Sequence, residues 1–229
     1  MNINKHLILL FSVLFFLFAV SVSSGCFRKN ESDVKSVVRN ELDQLKNLDS
    51  ETTQKYIPYT ELFPDATENT DLTDEINKTF SLFFRKFNYK ISDVIVGTTN
   101  HSATVSVKLT TIDSKVLARD FKAELLRTQI TESAQAQKGN IKDSSRSLEA
   151  HYLILNHLLN TNDYDTAETD CNIQLVNTGN NKKEKWKIQR TNSLEDDLVG
   201  GLIADLADPD ILSPEDTLTV YLDTLQKLD

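Results

Sequence analysis

The fold is decided by residues 103–110, which read ATVSVKLT and alternate strictly between apolar and polar side chains. Successive side chains of a β-strand point to opposite faces, so this period of two predicts a strand with one buried face. Residues 89–96 predict a neighbouring strand of mixed pattern, and residues 97–102 between the two are rich in turn formers. Together these segments predict an antiparallel hairpin.

A second hairpin is predicted further along the chain. Residues 166–176 alternate in the same way, and their expected inner face holds Ala167, Thr169, Cys171, Ile173 and Leu175. A glycine-containing turn at 177–184 then leads to a short strand that places Trp186 and Ile188 on one face. The chain therefore predicts two pairs of antiparallel strands.

Apolar residues at spacings of three and four predict helices around both hairpins. These helices cover residues 32–48, 52–57, 72–87, 114–135, 144–159, 193–206 and 214–228. Ser32, Ser193 and Ser213 are the expected N-terminal caps, and Pro214 suits a first helical position. The pair Gly200-Gly201 is expected to interrupt its helix where the backbone approaches a neighbour closely.

This order of elements predicts an α+β fold. A curved antiparallel sheet of about four strands is expected to be packed by helices into a cone, with a helical insertion between the hairpins and an extra C-terminal helix. The expected organisation is a signal peptide at 1–25, a short tether at 26–31, the cone-like domain at 32–207 and a helical appendage at 208–229.

The N-terminus has the pattern of a bacterial lipoprotein signal. Lys5 precedes an almost unbroken apolar run at 7–22, and the tetrapeptide SSGC follows at 23–26. Small residues before a cysteine fit a peptidase cleft, and the tetrapeptide resembles the lipobox cut by signal peptidase II. We therefore expect cleavage between Gly25 and Cys26 and a thioether-linked diacylglycerol on Cys26.

Two other interpretations of this segment stay open, a transmembrane anchor and a plain secretory signal with a coincidental cysteine. The apolar run is shorter than the about 20 residues that span a bilayer, which favours the lipoprotein. Two acyl chains anchor a protein stably, so the expected location is extracytoplasmic and lipid-anchored to the cell membrane.

The charge balance excludes one class of partner. The chain carries 25 basic and 34 acidic residues, a formal net charge of −9 at pH 7. Nucleic-acid binding depends on lysine and arginine neutralising phosphates, so we expect no nucleic-acid partner. The expected partners are the membrane, through Cys26, and an envelope protein or a small ligand.

The lipobox and the order of elements together resemble Gram-positive lipoproteins with nuclear-transport-factor-2-like (cystatin-like) folds. The resemblance rests on the SSGC box, the helix at 34–48, the strand pair 89–91 and 103–107, and the tail at 186–202. It covers most of the chain after residue 26. It implies a fold and a location, and it brings no assigned catalytic residues.

Residues that carry chemistry are sparse. His151 and His157 lie six residues apart on a predicted helix and point to different faces, which is not metal-ligand spacing. The oxygen-rich stretch 160–165 lacks the turn glycine and distal glutamate of a calcium loop and is expected to be a polar connection. No nucleophile, zinc or phosphate-loop motif occurs, so no catalytic, metal-binding or cofactor-binding residue is predicted.

Strand carboxylates are the remaining candidates for catalysis, because some enzymes on cone-like folds use a carboxylate in a cavity as a base. Glu168 and Asp170 alternate with the apolar face that holds Cys171, so both should point outward. The pattern leaves the direction of Asp93 open. Cys171 itself is expected to be a small buried residue.

The favoured hypothesis is a lipid-anchored, non-catalytic module that binds a protein partner or small ligand at the cell surface. The alternatives are an isomerase- or hydratase-like enzyme with a cavity acid, and an envelope-stress or assembly factor. The C-terminal helix, with an apolar stripe of Leu218, Tyr221, Leu222 and Leu225, either docks a partner or covers the core.

Overall fold

The computed structural model describes residues 30–57, 62–64, 66, 72–99, 101–137, 145–179 and 185–228. Their fold is α+β, with an open antiparallel sheet of four strands packed against helices, which confirms the predicted fold class. The strands lie in the order β1-β2-β3-β4, so each is hydrogen-bonded to its neighbour along the chain.

The elements follow the sequence prediction closely. The strands are β1 (Asn88–Val96), β2 (Ser102–Ile112), β3 (Thr166–Asn177) and β4 (Trp186–Ile188). The helices before the insertion are α1 over residues 30–46, α2 (Ser50–Tyr56) and α3 (Thr73–Phe83), which a 3₁₀ turn at Phe84–Lys86 extends. The later helices are α4 (Ser114–Gln137), α5 (Leu148–Thr161), α6 (Asn192–Leu198), α7 (Leu202–Ala207) and α8 (Pro214–Gln226).

Helix starts differ most from the prediction. Helix α5 begins at Leu148, capped by Ser147, and not at residue 144. Thr191 caps α6 where we expected Ser193, and residues 30 and 31, predicted as tether, are already helical, so Ser32 is not a cap. The predicted start of α8 is confirmed, because the Ser213 side chain accepts a hydrogen bond from the Asp216 amide.

The chain divides into two compact units. The first contains, among its described parts, residues 30–40, Ile91–Ser106 and Asn172–Gln189. Its buried apolar side chains, among the described residues, are Val34, Val38, Ala103, Val105, Ile173, Leu175 and Trp186. On the opposite sheet face, Thr104 donates to Gln174 Oε1 at 3.0 Å and Ser106 donates to Asn172 Oδ1 at 2.9 Å. The period of two in the sequence therefore separates an apolar face from a polar one.

The second unit contains Glu41–Lys90, Val107–Cys171 and Arg190–Asp229. In it α3 packs on α5, and α4 packs on α5, α7 and α8. Its aromatic core centres on Phe84, whose ring centroid lies 5.5 Å from Phe83, 5.2 Å from Phe87 and 6.3 Å from Phe80. These four phenylalanines, all in the segment 72–87 that was predicted as a helix, therefore pack into the core.

The predicted interruption at Gly200-Gly201 is confirmed. Gly200 has φ +66°, and a Cβ added there would lie 2.2 Å from Thr111 Oγ1. Gly201 has φ +90° and precedes α7. Left-handed backbone favours glycine. The positive φ and the close approach to Thr111 therefore both explain why residue 200 is a glycine.

Among the helices formed by the described residues, none is both long enough and apolar enough to cross a bilayer. The predicted division at residue 207/208 stays a prediction.

Candidate functional site

The predicted lipidation site is Cys26, with cleavage after Gly25. Both residues, together with the whole signal peptide at 1–25, lie outside the described residues. Lipidation of Cys26 therefore stays a prediction from the sequence.

The strand carboxylates all point to solvent. Glu168 and Asp170 are exposed on β3, which confirms their predicted direction, and Asp93 is exposed on β1. Lys108 donates to Glu168 at 3.1 Å, and the hydrogen bond and the charge of Glu168 raise the pKa of Lys108. All three carboxylates are therefore exposed to solvent.

The two histidines of α5 have different surroundings, as their spacing predicted. His157 is exposed, whereas the ring of His151 is half-buried, with its centroid 4.7 Å from that of Phe63 and 5.6 Å from that of Phe121. Within the described ranges, no group of three or more histidine, cysteine or acidic side chains is placed to hold a metal ion.

The oxygen-rich stretch at 160–165 is held by protein contacts. Lys86 Nζ lies 2.6 Å from Asp163 Oδ1 and 2.5 Å from the Tyr164 carbonyl oxygen. The Asn162 amide donates to the Tyr164 hydroxyl, which donates to Asp120 Oδ2 at 3.1 Å. The ammonium group of Lys86 thus takes the place at Asp163 that a cation would need.

A cavity of about 280 Å³, here called the aromatic pocket, lies within the second unit. Its lining includes Phe63, Phe121, Lys122, His151 and Ile203. This volume is just below the range of roughly 300–1,000 Å³ that is usual for small-molecule sites. The described lining residues include no carboxylate, so they provide no cavity acid of the kind an isomerase or hydratase needs.

The half-buried imidazole of His151 is a titratable group in the lining of the aromatic pocket. Burial lowers its pKa, the Ser145 backbone carbonyl opposes that change through a hydrogen bond, and the charge of Lys122 adds to it. The lowered pKa favours the neutral form of the imidazole. Its Nδ1 atom is buried and has no hydrogen-bond partner among the described residues.

Cys171 is sealed in the core at the inner face of β3, as predicted. Burial raises the pKa of its thiol, and the nearby Asp197 carboxylate raises it further. The thiolate is the reactive form of cysteine, so this residue is a poor nucleophile.

Helix α8 presents to solvent the apolar stripe for which the sequence left two roles open, docking a partner or covering the core. We call it the outer face of α8; it consists of Leu218, Tyr221, Leu222 and Leu225, whose exposed fractions are 58%, 46%, 49% and 37%. The side of α8 that is buried instead carries Val220 and Thr224. The interpretation in which this stripe covers the core is therefore wrong for these four residues.

The buried side of α8 explains its placement. Val220 and Thr224 lie four residues apart, one turn along the helix, and α8 packs on α4. The Thr224 hydroxyl donates to the Val220 carbonyl at 2.6 Å, which satisfies a polar group that would otherwise be buried alone. The spacing of Val220 and Thr224 was the sequence signal for the buried side of α8. Four larger apolar residues on the same helix gave a stronger signal for the opposite side.

Comparison of the chain with protein-family models, with curated proteins and with solved structures finds no match. The resemblance to lipoproteins with nuclear-transport-factor-2-like folds therefore stays a prediction.

Proposed function

We propose that this protein is a lipid-anchored, extracytoplasmic lipoprotein that binds a protein partner at the cell surface and does not transform a substrate. The observation that carries the binding role is the outer face of α8. Large side chains on a water-soluble surface mark interaction sites when they form a contiguous patch. Here four of them lie on two turns of one helix.

The anchor half of the proposal is supported by the sequence at 1–26. A diacylglycerol on Cys26 supplies two acyl chains, which hold a protein stably at a membrane. The chain is helical from residue 30 onward. An extended chain spans at most about 3.3 Å per residue, so the few residues between Cys26 and residue 30 keep the folded structure close to the lipid. Such a protein meets its partners close to the membrane surface.

Intact-mass measurement of the protein extracted from membranes of its host tests the anchor. The expected mass corresponds to Cys26–Asp229 plus a diacylglycerol group. The variant Cys26→Ala is expected to accumulate as an uncleaved, lipid-free precursor. Release of that variant at the normal mature size would show that another peptidase processes the chain and that the lipobox is not used.

A second candidate function is binding of a small apolar ligand in the aromatic pocket. The specific observation is the cavity between Phe63, Phe121 and His151. Titration with indole, followed by nuclear magnetic resonance, is expected to shift signals of pocket residues first. The variant His151→Leu should change that binding, and His157→Leu on the exposed side of the same helix is the matched control. Equal effects of both variants would exclude the pocket as the site.

A further inference from the structure

We infer that the aromatic pocket binds a small aromatic carboxylate, whose ring enters the cavity and whose charge pairs with Lys122. This inference rests on the second candidate function given above, and it goes further by naming the chemical class of the ligand. It is carried by the rings that line the pocket and by the one kind of charge among its described lining residues.

The walls of the pocket come from three helices and one connecting segment of the second unit. Helix α4 supplies Phe121 and Lys122, α5 supplies His151, and α7 supplies Ile203. Phe63, from the segment before α3, adds a third ring. Helix α4 packs on both α5 and α7, so the helices that form the pocket hold each other in place.

The rings of the lining favour a planar aromatic ligand. The Phe63 and Phe121 rings are stacked with their centroids 5.1 Å apart, and the His151 ring lies 4.7 Å from the first and 5.6 Å from the second. Aromatic pairs contribute more than their buried area alone, which an aliphatic chain does not. A dry apolar cavity of about 150 Å³ holds one benzene ring, so a volume of about 280 Å³ leaves room for a ring and a short substituent.

Lys122 brings a positive charge to this largely apolar lining. Among the described residues it forms no salt bridge, and the described part of the lining includes no aspartate or glutamate. Burial and the charge of Lys122 both lower the pKa of His151, so the ammonium group is near enough to interact with a ring of the pocket. A carboxylate complements such a cation, because it accepts short, charge-assisted hydrogen bonds.

The overall charge limits the ligand to a single carboxylate. The chain has a formal net charge of −9 at pH 7, so a ligand with several negative charges meets repulsion from the protein as a whole. One carboxylate pairs with Lys122 and meets the least of this repulsion. Aromatic ring faces attract cations, but the ammonium of Lys122 repels a cationic ligand from this pocket.

Four probes test the class of ligand. Three share one ring system, namely indole, which is neutral, indole-3-acetate, which is a monoanion, and tryptamine, which is a cation. The fourth is dodecanoate, an aliphatic monoanion. Each is titrated into the purified full chain by isothermal titration calorimetry. We expect indole-3-acetate to bind about tenfold more tightly than indole, because a charge-assisted pair adds to burial of the ring. Tryptamine should bind more weakly than indole, and dodecanoate more weakly than indole-3-acetate.

Three variants locate the binding. Lys122→Met removes the charge and keeps an unbranched apolar stem, so it should lower the affinity for indole-3-acetate to that for indole. Lys115→Met, at an exposed position of the same helix, is the matched control and should leave every affinity unchanged. Ile203→Trp should fill the cavity and weaken binding of both indole and indole-3-acetate about tenfold or more. Circular dichroism checks that each variant is folded.

The inference is overturned by any of four results. These are equal affinities for indole and indole-3-acetate, equal losses in Lys115→Met and Lys122→Met, unchanged binding in a folded Ile203→Trp variant, and tighter binding of dodecanoate than of indole-3-acetate.

The same titrations separate this inference from the function on which it rests. Equal binding of indole and indole-3-acetate that Ile203→Trp abolishes would leave the pocket as an apolar site without selection for an anion. Absence of binding by all four probes would instead remove the pocket function itself.

Discussion

Helices α3 and α8 both carry apolar residues at spacings of three and four, yet α3 buries them and α8 exposes them. Ile76, Phe80 and Phe83 of α3 are almost inaccessible to solvent, whereas Leu218 and Leu222 of α8 are about half exposed. Apolar spacings of three and four therefore identify an amphipathic helix, but they do not show which side of that helix packs against the rest of the fold. In α8, contact with α4 uses the smaller Val220 and Thr224 instead.

The largest change in the free energy of unfolding is expected in the buried phenylalanine cluster around Phe84. Phe84→Ala removes a ring that is 1% exposed and surrounded by three other phenylalanines. The free energy of unfolding should fall by about 3–5 kcal/mol, because the core cannot close completely around the cavity. Urea denaturation measures the change, and Leu153→Ala on the exposed side of α5 is the control. A cost below about 1 kcal/mol would mean that this aromatic cluster is not the core.

The next prediction compares the two sides of α8 directly. Val220→Ala should lower the free energy of unfolding by about 2 kcal/mol, since it removes buried apolar surface against α4. Leu222→Ser, two residues away, should change it by no more than about 0.5 kcal/mol. The same urea experiment measures both. If Leu222→Ser costs as much as Val220→Ala, the outer face is not free and the comparison between α3 and α8 breaks down.

A smaller effect is expected at the start of α8. Ser213→Ala removes the side chain that accepts a hydrogen bond from the Asp216 amide at 3.1 Å. Loss of an N-terminal cap costs about 1 kcal/mol, which thermal unfolding followed by circular dichroism can detect. Ser213→Asn should retain most of the stability because asparagine also caps helices. An unchanged midpoint for Ser213→Ala would show that packing on α4, and not the cap, holds the helix start.

The smallest expected effect concerns the half-buried His151. Folding lowers its pKa, so below its ordinary value of about 6.5 the unfolded chain binds more protons than the folded one. The stability should therefore fall as the pH drops from 7 through 6.5 and towards the lowered pKa. His151→Leu should remove this part of the pH dependence, measured by urea denaturation at several pH values. His157→Leu should retain it, and equal slopes for the two variants would contradict the assignment.

The sheet could be predicted from sequence because its signal is local. Ala103, Val105 and Val107 alternate with polar residues whatever lies around them, and each is buried. Caps were less certain because two candidates often stand close together. Thr191 and Ser193 are both suitable side chains, and the sequence does not show which of them the surrounding fold places before the first helical turn.

The candidate site could be predicted only in part. The outward direction of Glu168 and Asp170 follows from strand alternation, and the different surroundings of His151 and His157 follow from helix geometry. The aromatic pocket could not be foreseen, because it joins Phe63, Phe121 and His151 from segments far apart in the chain. Which side of α8 faces solvent depends on which side packs against α4, and tertiary packing decides this.

The buried position of Cys171 makes its thiol an intrinsic probe of local opening in the sheet. The chain contains two cysteines, so a variant with Cys26→Ser retains one thiol, which is 2% exposed and lies near Asp197. An alkylating reagent can reach that sulfur only when β3 opens. The rate of its modification therefore reads out how often this part of the sheet opens under native conditions, without any added label.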